Sequence, residues 1–334
     1  MTQLTQSDLQ GQLEAYRAEL TGYCYRMLGS AFEAEDAVQE AMLRAWRGLD
    51  RFEGRAALRS WLYRIATNVC LDLLNGRNKR ALPMDMSPTA SPPVESSLGE
   101  PLPESAWLGP APDASVLPGS GDPAEVAVSR ESVRLAFIAA LQNLPPKQRA
   151  VLILRDVLRW RADEAAELLG TSVASVNSAL QRARATMSSR SSSPEGTLEE
   201  QSAVHAPDPM NTDDKALLDR YVEAFERYDM QSLVALLAED ATMSMPPYAL
   251  WLQGPQDITA WMTGPGCACE GSRLIPVAAN GSTGFGQYKP NPETGRHEPW
   301  SLITLEVAGG RITGITHFLD TSVFRLFGLP EYLD

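Results

Sequence analysis

The chain carries, from Ala162 to Arg184, the stretch Ala-Asp-Glu-Ala-Ala-Glu-Leu-Leu-Gly-Thr-Ser-Val-Ala-Ser-Val-Asn-Ser-Ala-Leu-Gln-Arg-Ala-Arg. Its first, amphipathic part ends at Gly170, a residue that readily takes the left-handed conformation in which many helices stop. Thr171 and Ser172 follow as helix caps, and a second periodic segment then begins. The stretch therefore predicts two short helices joined by a tight turn, a helix-turn-helix.

The second helix of this pair has two unlike faces. At about 100° per residue, Val176, Ala179, Leu180 and Ala183 fall on one side. The opposite side carries small and polar residues that suit base edges and phosphates in a DNA major groove. The candidate DNA-binding residues are Ser175, Asn177, Ser178, Gln181, Arg182 and Arg184. A surface helical hairpin with a solvated polar face is the alternative interpretation at this point.

Charge is distributed unevenly along the 334 residues. The net charge of −13, taken alone, argues against binding to a phosphate backbone. By segment, however, the net charge is +1 over residues 1–82, −7 over 83–129, +5 over 130–190 and −12 over 191–334. The acidity therefore lies outside the segment that contains the helix-turn-helix.

Composition predicts three domains and two linkers. Residues 83–122 are rich in Pro, Ser and Gly and lack apolar periodicity, which predicts a flexible acidic linker. The Ser-rich residues 189–211 predict a second linker. The domains are expected over residues 1–82, 123–188 and 212–334.

The first domain is expected to be helical. Apolar residues recur at helical spacing over residues 9–27. Ser30 and Glu33 form the pattern of a capping box at the start of a second helix, and a third helix is expected over about 58–74.

Two groups of segments together resemble the extracytoplasmic-function (ECF) sigma factors of bacterial RNA polymerase. Residues 162–184, with the preceding Leu144-Pro-Pro-Lys-Gln-Arg, are similar to sigma region 4. The segments Asp36-Ala-Val-Gln-Glu-Ala-Met-Leu-Arg-Ala-Trp and Phe52-Glu-Gly-Arg-Ala-Ala-Leu-Arg-Ser-Trp-Leu-Tyr-Arg-Ile-Ala-Thr-Asn are similar to sigma region 2. The resemblance covers residues 10–187. It implies a subunit that binds core RNA polymerase and directs initiation at promoters with −10 and −35 elements.

The resemblance also implies a role for each helical domain. The helix-turn-helix would bind the −35 element. The helix after Ser30 would dock on the clamp of the largest polymerase subunit, and the residues that match the docking motif are Asp36, Gln39, Glu40 and Arg44. The helix after Phe52 and the loop before it would bind the opened −10 element, with the candidates Arg55, Arg59, Trp61, Arg64 and Asn68. Without the resemblance, the pattern of the docking residues indicates a solvated helix face. The apolar pattern that Trp61 forms with Leu62 and Ile65 predicts a core residue.

The acidic linker has two interpretations. In the family this segment threads the polymerase channels that later hold RNA, so the seven acidic residues of 83–129, without a basic one, would mimic the charge of RNA. The alternative is a solvated spacer extended by its own charge.

The C-terminal domain is expected to have an α+β fold. It begins with helical spacing over residues 213–228 and continues with strand-like runs that suggest a meander in one curved sheet. Tyr221-Val-Glu-Ala-Phe-Glu-Arg-Tyr-Asp and Gly310-Arg-Ile-Thr-Gly-Ile-Thr-His-Phe resemble SnoaL-like domains of the nuclear-transport-factor superfamily, in which a cone of sheet encloses a pocket. ECF sigma factors with such a domain form subgroups, and this chain looks nearest the SigG-type one. The candidate pocket residues are Met243, Met245, Tyr248, Trp251, Trp261, Trp300, His317 and Asp320, with Asp320 as a partner for His317.

The expected fold is therefore multidomain: two all-α sigma domains, the second a helix-turn-helix, and an α+β SnoaL-like cone. No catalytic set stands out, and the four cysteines are too few and too scattered for a disulfide framework or a metal site. We expect a protein that is not an enzyme, needs no cofactor and works in the cytoplasm without a membrane. Its expected partners are core RNA polymerase and promoter DNA, with a small molecule as a candidate ligand of the C-terminal domain. That domain is expected to modulate activity in cis.

Two other functions stay open from the sequence. One is a ligand-responsive helix-turn-helix regulator that is not a polymerase subunit, although this leaves the region 2 motifs unexplained. The other is a SnoaL-like enzyme fused to a DNA-binding module.

Overall fold

The computed structural model describes residues 11, 13–49, 57–118, 123–189 and 212–334. The chain divides into two compact units, and each is discontinuous in sequence. The first comprises residues 1–80 and 113–203, and the second comprises residues 81–112 and 204–334.

The N-terminal part of the first unit is helical. Its helices are α1 (Arg17–Leu28), α2 (Ala31–Gly48) and α3 (Leu58–Leu74). Helix α1 ends at Gly29, whose φ of 75° is left-handed, and Ser30 caps α2 by accepting a hydrogen bond from the Glu33 amide. Residues 20–28 of α1 are all buried, so α1 is the central helix of this domain.

The second part of the first unit is also helical. Its helices are α4 (Pro123–Glu131), α5 (Leu135–Gln142), α6 (Pro146–Leu152), α7 (Ala162–Leu168) and α8 (Val173–Ser188), and a π-helical turn, Ile153–Val157, extends α6. Helix α7 ends at Gly170 with φ of 61°, and Ser172 caps α8 by accepting from the Ser175 amide. The predicted helix-turn-helix is therefore present, with its turn at Gly170–Ser172.

The C-terminal domain is built on one mixed sheet of six strands. The strands are β1 (Leu237–Ser244), β2 (Trp251–Gln253), β3 (Arg273–Ala279), β4 (Ser282–Asn291), β5 (Arg296–Ala308) and β6 (Arg311–Phe318), in the order β2-β1-β6-β5-β4-β3. Its helices are α9 (Thr212–Glu226), α10 (Met230–Val234) and α11 (Pro255–Thr263). Strands β3 to β6 form the predicted meander. The sequence did not predict that β1 pairs with β6 in parallel, or the presence of β2 and α11.

One face of this sheet packs under α9. The Tyr221 ring on α9 stacks on Phe285 of β4 with ring centroids 5.8 Å apart. Phe285 is paired with Ile303, and Met243 with Ile315, so each of these four strands sends a large apolar side chain into the same core. The opposite face of the sheet is covered as well, since its paired residues Leu302 and Phe318 are 0% and 4% exposed.

The prediction of a flexible linker is wrong for residues 81–112, which fold onto the C-terminal domain. The Ser91 amide donates to the Trp251 carbonyl and the Leu102 amide to the Pro247 carbonyl. Asn280 makes two hydrogen bonds to the backbone of Ala111, each 3.0 Å long. Pro-rich sequence gives no periodic signal, but it still supplies individual backbone donors that pair with distant parts of the chain.

The linker is also closed on itself. Ala81 forms a parallel bridge with Trp107: the Ala81 amide donates to the Ala106 carbonyl (2.9 Å), and the Leu108 amide donates to the Ala81 carbonyl (3.2 Å). Between these two points Leu98 packs against the apolar core of the C-terminal domain. Residues 81–107 thus form a closed loop, which we call the linker clasp.

A search of the described ranges found no helix long and apolar enough to cross a membrane.

Candidate nucleic-acid interface

Helix α8 presents the predicted recognition face to solvent. Val176, Leu180 and Ala183 are buried against the rest of the domain, as the periodicity predicts. The predicted contact residues Ser175, Asn177, Ser178, Gln181, Arg182 and Arg184 are all exposed. Arg182 donates from Nη1 to the Ser178 hydroxyl at 2.7 Å, so its guanidinium lies along the exposed face.

Arg184 differs from the other members of this set. Its Nε and Nη2 donate to the two carboxylate oxygens of Asp156 at 2.8 and 2.7 Å. This hydrogen bonding raises the pKa of Arg184. Asp156 lies in the π-helical turn and its side chain is only 11% exposed. The pair therefore joins the recognition helix to the π-helical turn that extends α6, and Arg184 already has a partner within its own domain.

Helix α3 carries the predicted −10 residues on two sides. Trp61, Ile65 and Asn68 lie on one side and line, with Arg44 and Gly48 of α2, a shallow cavity of about 330 Å³. Trp61 is half-buried against Gly48 rather than enclosed in the core, so its ring is available at the surface of this cavity. Arg55 lies outside the described residues.

Arg59 and Arg64 have partners inside the first unit. Arg59 donates from Nε to Glu19 at 2.8 Å, and its guanidinium lies over the rings of Tyr63 and Trp160, 5.5 and 5.0 Å from their centroids. Arg64 donates from Nη2 to the Glu167 carbonyl at 3.2 Å. Trp160 and Glu167 belong to the second helical part of the unit, so that part covers two of the predicted −10 residues.

Helix α2 presents the predicted polymerase-binding residues at its surface. Asp36 and Gln39 are exposed, and Glu40 accepts from Arg44 at 2.7 Å. Arg44 also approaches Asp72 at 3.6 Å, which places it at the edge of the α3 cavity. Leu43 and Trp46, which the sequence motifs did not single out, are 50% and 42% exposed on the same helix. Exposed large apolar residues beside a polar stripe are the signal that would have found them.

The predicted pocket residues of the C-terminal domain do not meet in one place. Met243 and Trp261 are part of the apolar core, and Met245 and Tyr248 pack against its edge. Trp251 donates from its indole to the Ser87 carbonyl of the linker clasp. Trp300 is exposed with the Lys289 ammonium 3.8 Å above its ring. Asp320 caps a 3₁₀ turn by accepting from the Ser322 amide, so the predicted pairing with His317 is wrong.

His317 instead ends a buried row of polar side chains. Gln287 donates to the Ser272 hydroxyl at 3.0 Å, and the Ser301 hydroxyl donates to the Gln287 amide oxygen at 2.7 Å. Because the Ser301 proton is used there, its oxygen accepts from Nδ1 of His317 at 3.4 Å. Burial lowers the pKa of His317 to about 4, so the ring is neutral at physiological pH.

Three family models match successive parts of this chain. Sigma-70 region 2 matches residues 13–80, Sigma-70 region 4 matches residues 134–187, and the SnoaL-like domain matches residues 218–315. Together they define the class of protein: a sigma factor with two helical domains and an added SnoaL-like domain.

Relatives place the chain more narrowly. The ECF RNA polymerase sigma factor SigG of Mycobacterium tuberculosis is 44% identical over 329 residues, which cover 98% of this chain and 85% of that relative. The ECF RNA polymerase sigma factor SigJ of the same species is 30% identical over 233 residues, covering 70% of this chain and 63% of that relative. The SigJ crystal structure shares the fold, with a TM-score of 0.59 at 21% identity over 96% of this chain and 100% of that one. The chain belongs to the ECF RNA polymerase sigma factors, which are transcription initiation factors rather than enzymes.

We expect the Asp156–Arg184 pair to support DNA binding through stability rather than through contact. Asp156→Ala and Arg184→Ala should each lower the free energy of unfolding by about 1 kcal/mol, since the pair is partly exposed. Both variants should also weaken promoter binding to the same extent, which thermal unfolding and a binding titration would measure. A much larger binding loss for Arg184→Ala than for Asp156→Ala would contradict a purely positioning role.

We also expect His317 to make the stability of the C-terminal domain depend on pH. The unfolded state binds a proton below pH ~6.5, whereas the folded ring does so only near pH 4. Stability should therefore fall as the pH drops through this window, by up to about 3 kcal/mol from this group alone. Urea unfolding of the wild type and of His317→Gln between pH 7 and 4 would measure it. Equal slopes for the two proteins would contradict the assignment.

Proposed function

We propose that this chain directs RNA polymerase to promoters by dividing recognition among three exposed helices. Helix α8 binds the −35 element, helix α3 binds the opened −10 element, and helix α2 docks on the clamp of the largest polymerase subunit. The single observation that carries the proposal is the helix-turn-helix whose recognition face is exposed while its apolar face is buried.

The chemistry of each surface fits its role. Helix α8 offers amide and hydroxyl groups at the spacing of base edges, with Arg182 able to reach phosphate. The cavity beside Trp61 offers an aromatic ring, the Asn68 amide and the Arg44 guanidinium, which together suit an unstacked base. The face of α2 combines Asp36 and Gln39 with exposed Leu43 and Trp46, a pattern typical of a specific protein interface.

The C-terminal domain modulates this activity through the linker clasp. With Ala81 held beside Trp107, only five residues remain between the clasp and Asp113. The linker therefore spans about 25 Å, including one strand spacing. The −10 and −35 elements are about 25 base pairs apart, or about 85 Å of B-form DNA. Two domains of this size are each about 28 Å across. Centred on their elements, they together fill about 28 Å of that distance, which leaves more than about 50 Å to bridge.

An open clasp meets this requirement. Residues 81–113 fully extended reach more than about 100 Å. The contacts of Trp160 with Arg59 and of Glu167 with Arg64 must also separate, because they join the two helical parts within a few ångströms. The structure therefore corresponds to a closed form, and the C-terminal domain favours it by holding the clasp shut.

A small-molecule ligand of the C-terminal domain would act on the same equilibrium. The neutral His317 and the hydroxyl and amide groups in its row offer hydrogen bonds to a small polar molecule that enters the core. Such a ligand would open the clasp by displacing Leu98 from the edge of that core.

The test of the main proposal is run-off transcription with core RNA polymerase and a genomic promoter library. We expect transcripts from a set of promoters that share one −10 and one −35 sequence. The double variant Asn177→Ala and Gln181→Ala should lose these transcripts while it still co-purifies with core polymerase. No transcript under any condition, or no binding to core polymerase, would contradict the proposal.

Opening the clasp should raise activity. Ala81→Pro removes the amide that donates to Ala106, and loss of one hydrogen bond of about 1 kcal/mol should increase the open fraction about fivefold. We expect a matching rise in transcript yield at limiting factor concentration. The matched control is Ala90→Pro, because the Ala90 amide has no hydrogen-bond partner among the described residues. Equal yields from wild type and Ala81→Pro would contradict control through the clasp.

A further inference from the structure

Val173 is the first residue of the recognition helix and stands at its surface. Its side chain is 42% exposed. Among the described residues of 123–189, it is the one large apolar side chain that the structure leaves exposed. Val173 is β-branched and has a poor helix propensity. Its exposed methyl groups lie at the start of the helix, where a partner outside the domain can contact them.

The surroundings of Val173 define the chemistry of that partner. Ser172 caps the helix, and Asn177 and Gln181 follow Val173 at i+4 and i+8, so an apolar group begins a stripe of amide side chains. In helix-turn-helix proteins the N-terminal residues of the recognition helix contact base edges in the major groove. The apolar group available there is the C5-methyl group of thymine.

We propose that Val173 is a specificity-determining residue that packs on one thymine methyl group of the −35 element. The inference rests on the proposed function of helix α8 and adds the base that its first residue reads. Asn177, one turn along, is placed to pair with an adenine of the neighbouring base pairs. The −35 element therefore contains at least one thymine whose methyl group, rather than its hydrogen-bonding groups, is required.

The methyl group can be removed from the DNA without changing base pairing. Each thymine of the −35 element is replaced in turn by deoxyuridine, in duplexes from a promoter found by run-off transcription. Binding by the full chain with core polymerase is then measured by competition. Loss of one buried methyl group should weaken wild-type binding about fourfold at one position and leave the others nearly unchanged.

Variants of the protein test the same contact by removing the valine side chain instead of the thymine methyl group. Val173→Ala should bind the thymine duplex about as weakly as wild type binds the deoxyuridine duplex, and it should no longer distinguish the two. Alanine is the better helix former, so this variant retains α8. The matched control is Val277→Ala on strand β3, a half-buried valine that lies outside both the recognition helix and the linker clasp. It should keep the wild-type profile.

The outcomes separate this inference from the proposed function. A wild type that is insensitive to deoxyuridine at every position overturns the inference, as does Val173→Ala with an unchanged profile. A uniform loss of affinity in Val173→Ala on all duplexes assigns Val173 a structural role and overturns it as well. If no duplex is bound by any protein, including wild type and Val277→Ala, the proposed function fails as well.

Discussion

Buried guanidinium groups join the two helical parts of the first unit, and within the described part of the chain they have no carboxylate partner. Arg149 donates to the Met27 carbonyl at the end of α1 and to oxygens of Gln142 and Leu144, and its Nε has no partner among the described residues. Arg26 donates to the Ser132 hydroxyl. Burial lowers the pKa of both arginines to about 10. Each charge regains hydration when the parts separate, so this contact holds a defined geometry and can still open.

The sequence predicts local structure well because local structure here follows from periodicity and caps. The bounds of α3 and the turn at Gly170 follow from residues within one helical turn of each other. The linker clasp does not, since its hydrogen bonds join Ala81 to Ala106 and Ser91 to Trp251. Parallel pairing of β1 with β6 is missed for the same reason: the two strands are about 70 residues apart.

At the candidate site, too, the local structure is predictable from the sequence and the long-range contacts are not. The exposed face of α8 follows from the helical repeat, but the repeat does not reveal which exposed arginine is already used by the protein. Arg182 and Arg184 are both exposed in the pattern, yet only Arg184 is paired with Asp156, 28 residues earlier. Arg59 is likewise held by Glu19, 40 residues away. Such partners are set by tertiary packing. The residue type, arginine, is the same whether or not the side chain has a partner within the protein.

The folded state of the acidic linker changes the interpretation of the chain's acidity. The segment 81–112 contains four acidic residues and no Lys or Arg, and it folds onto a domain that lies in the segment of net charge −12. The two are therefore joined against their mutual repulsion, by backbone hydrogen bonds and by apolar groups such as Leu98. Salt screens that repulsion and favours the closed clasp, while it weakens binding to phosphates. In the proposed mechanism, higher ionic strength therefore lowers promoter binding in two ways: it favours the closed clasp and it weakens the contacts with phosphates. The acidic segments are the reason that the fraction of the closed form increases with the salt concentration.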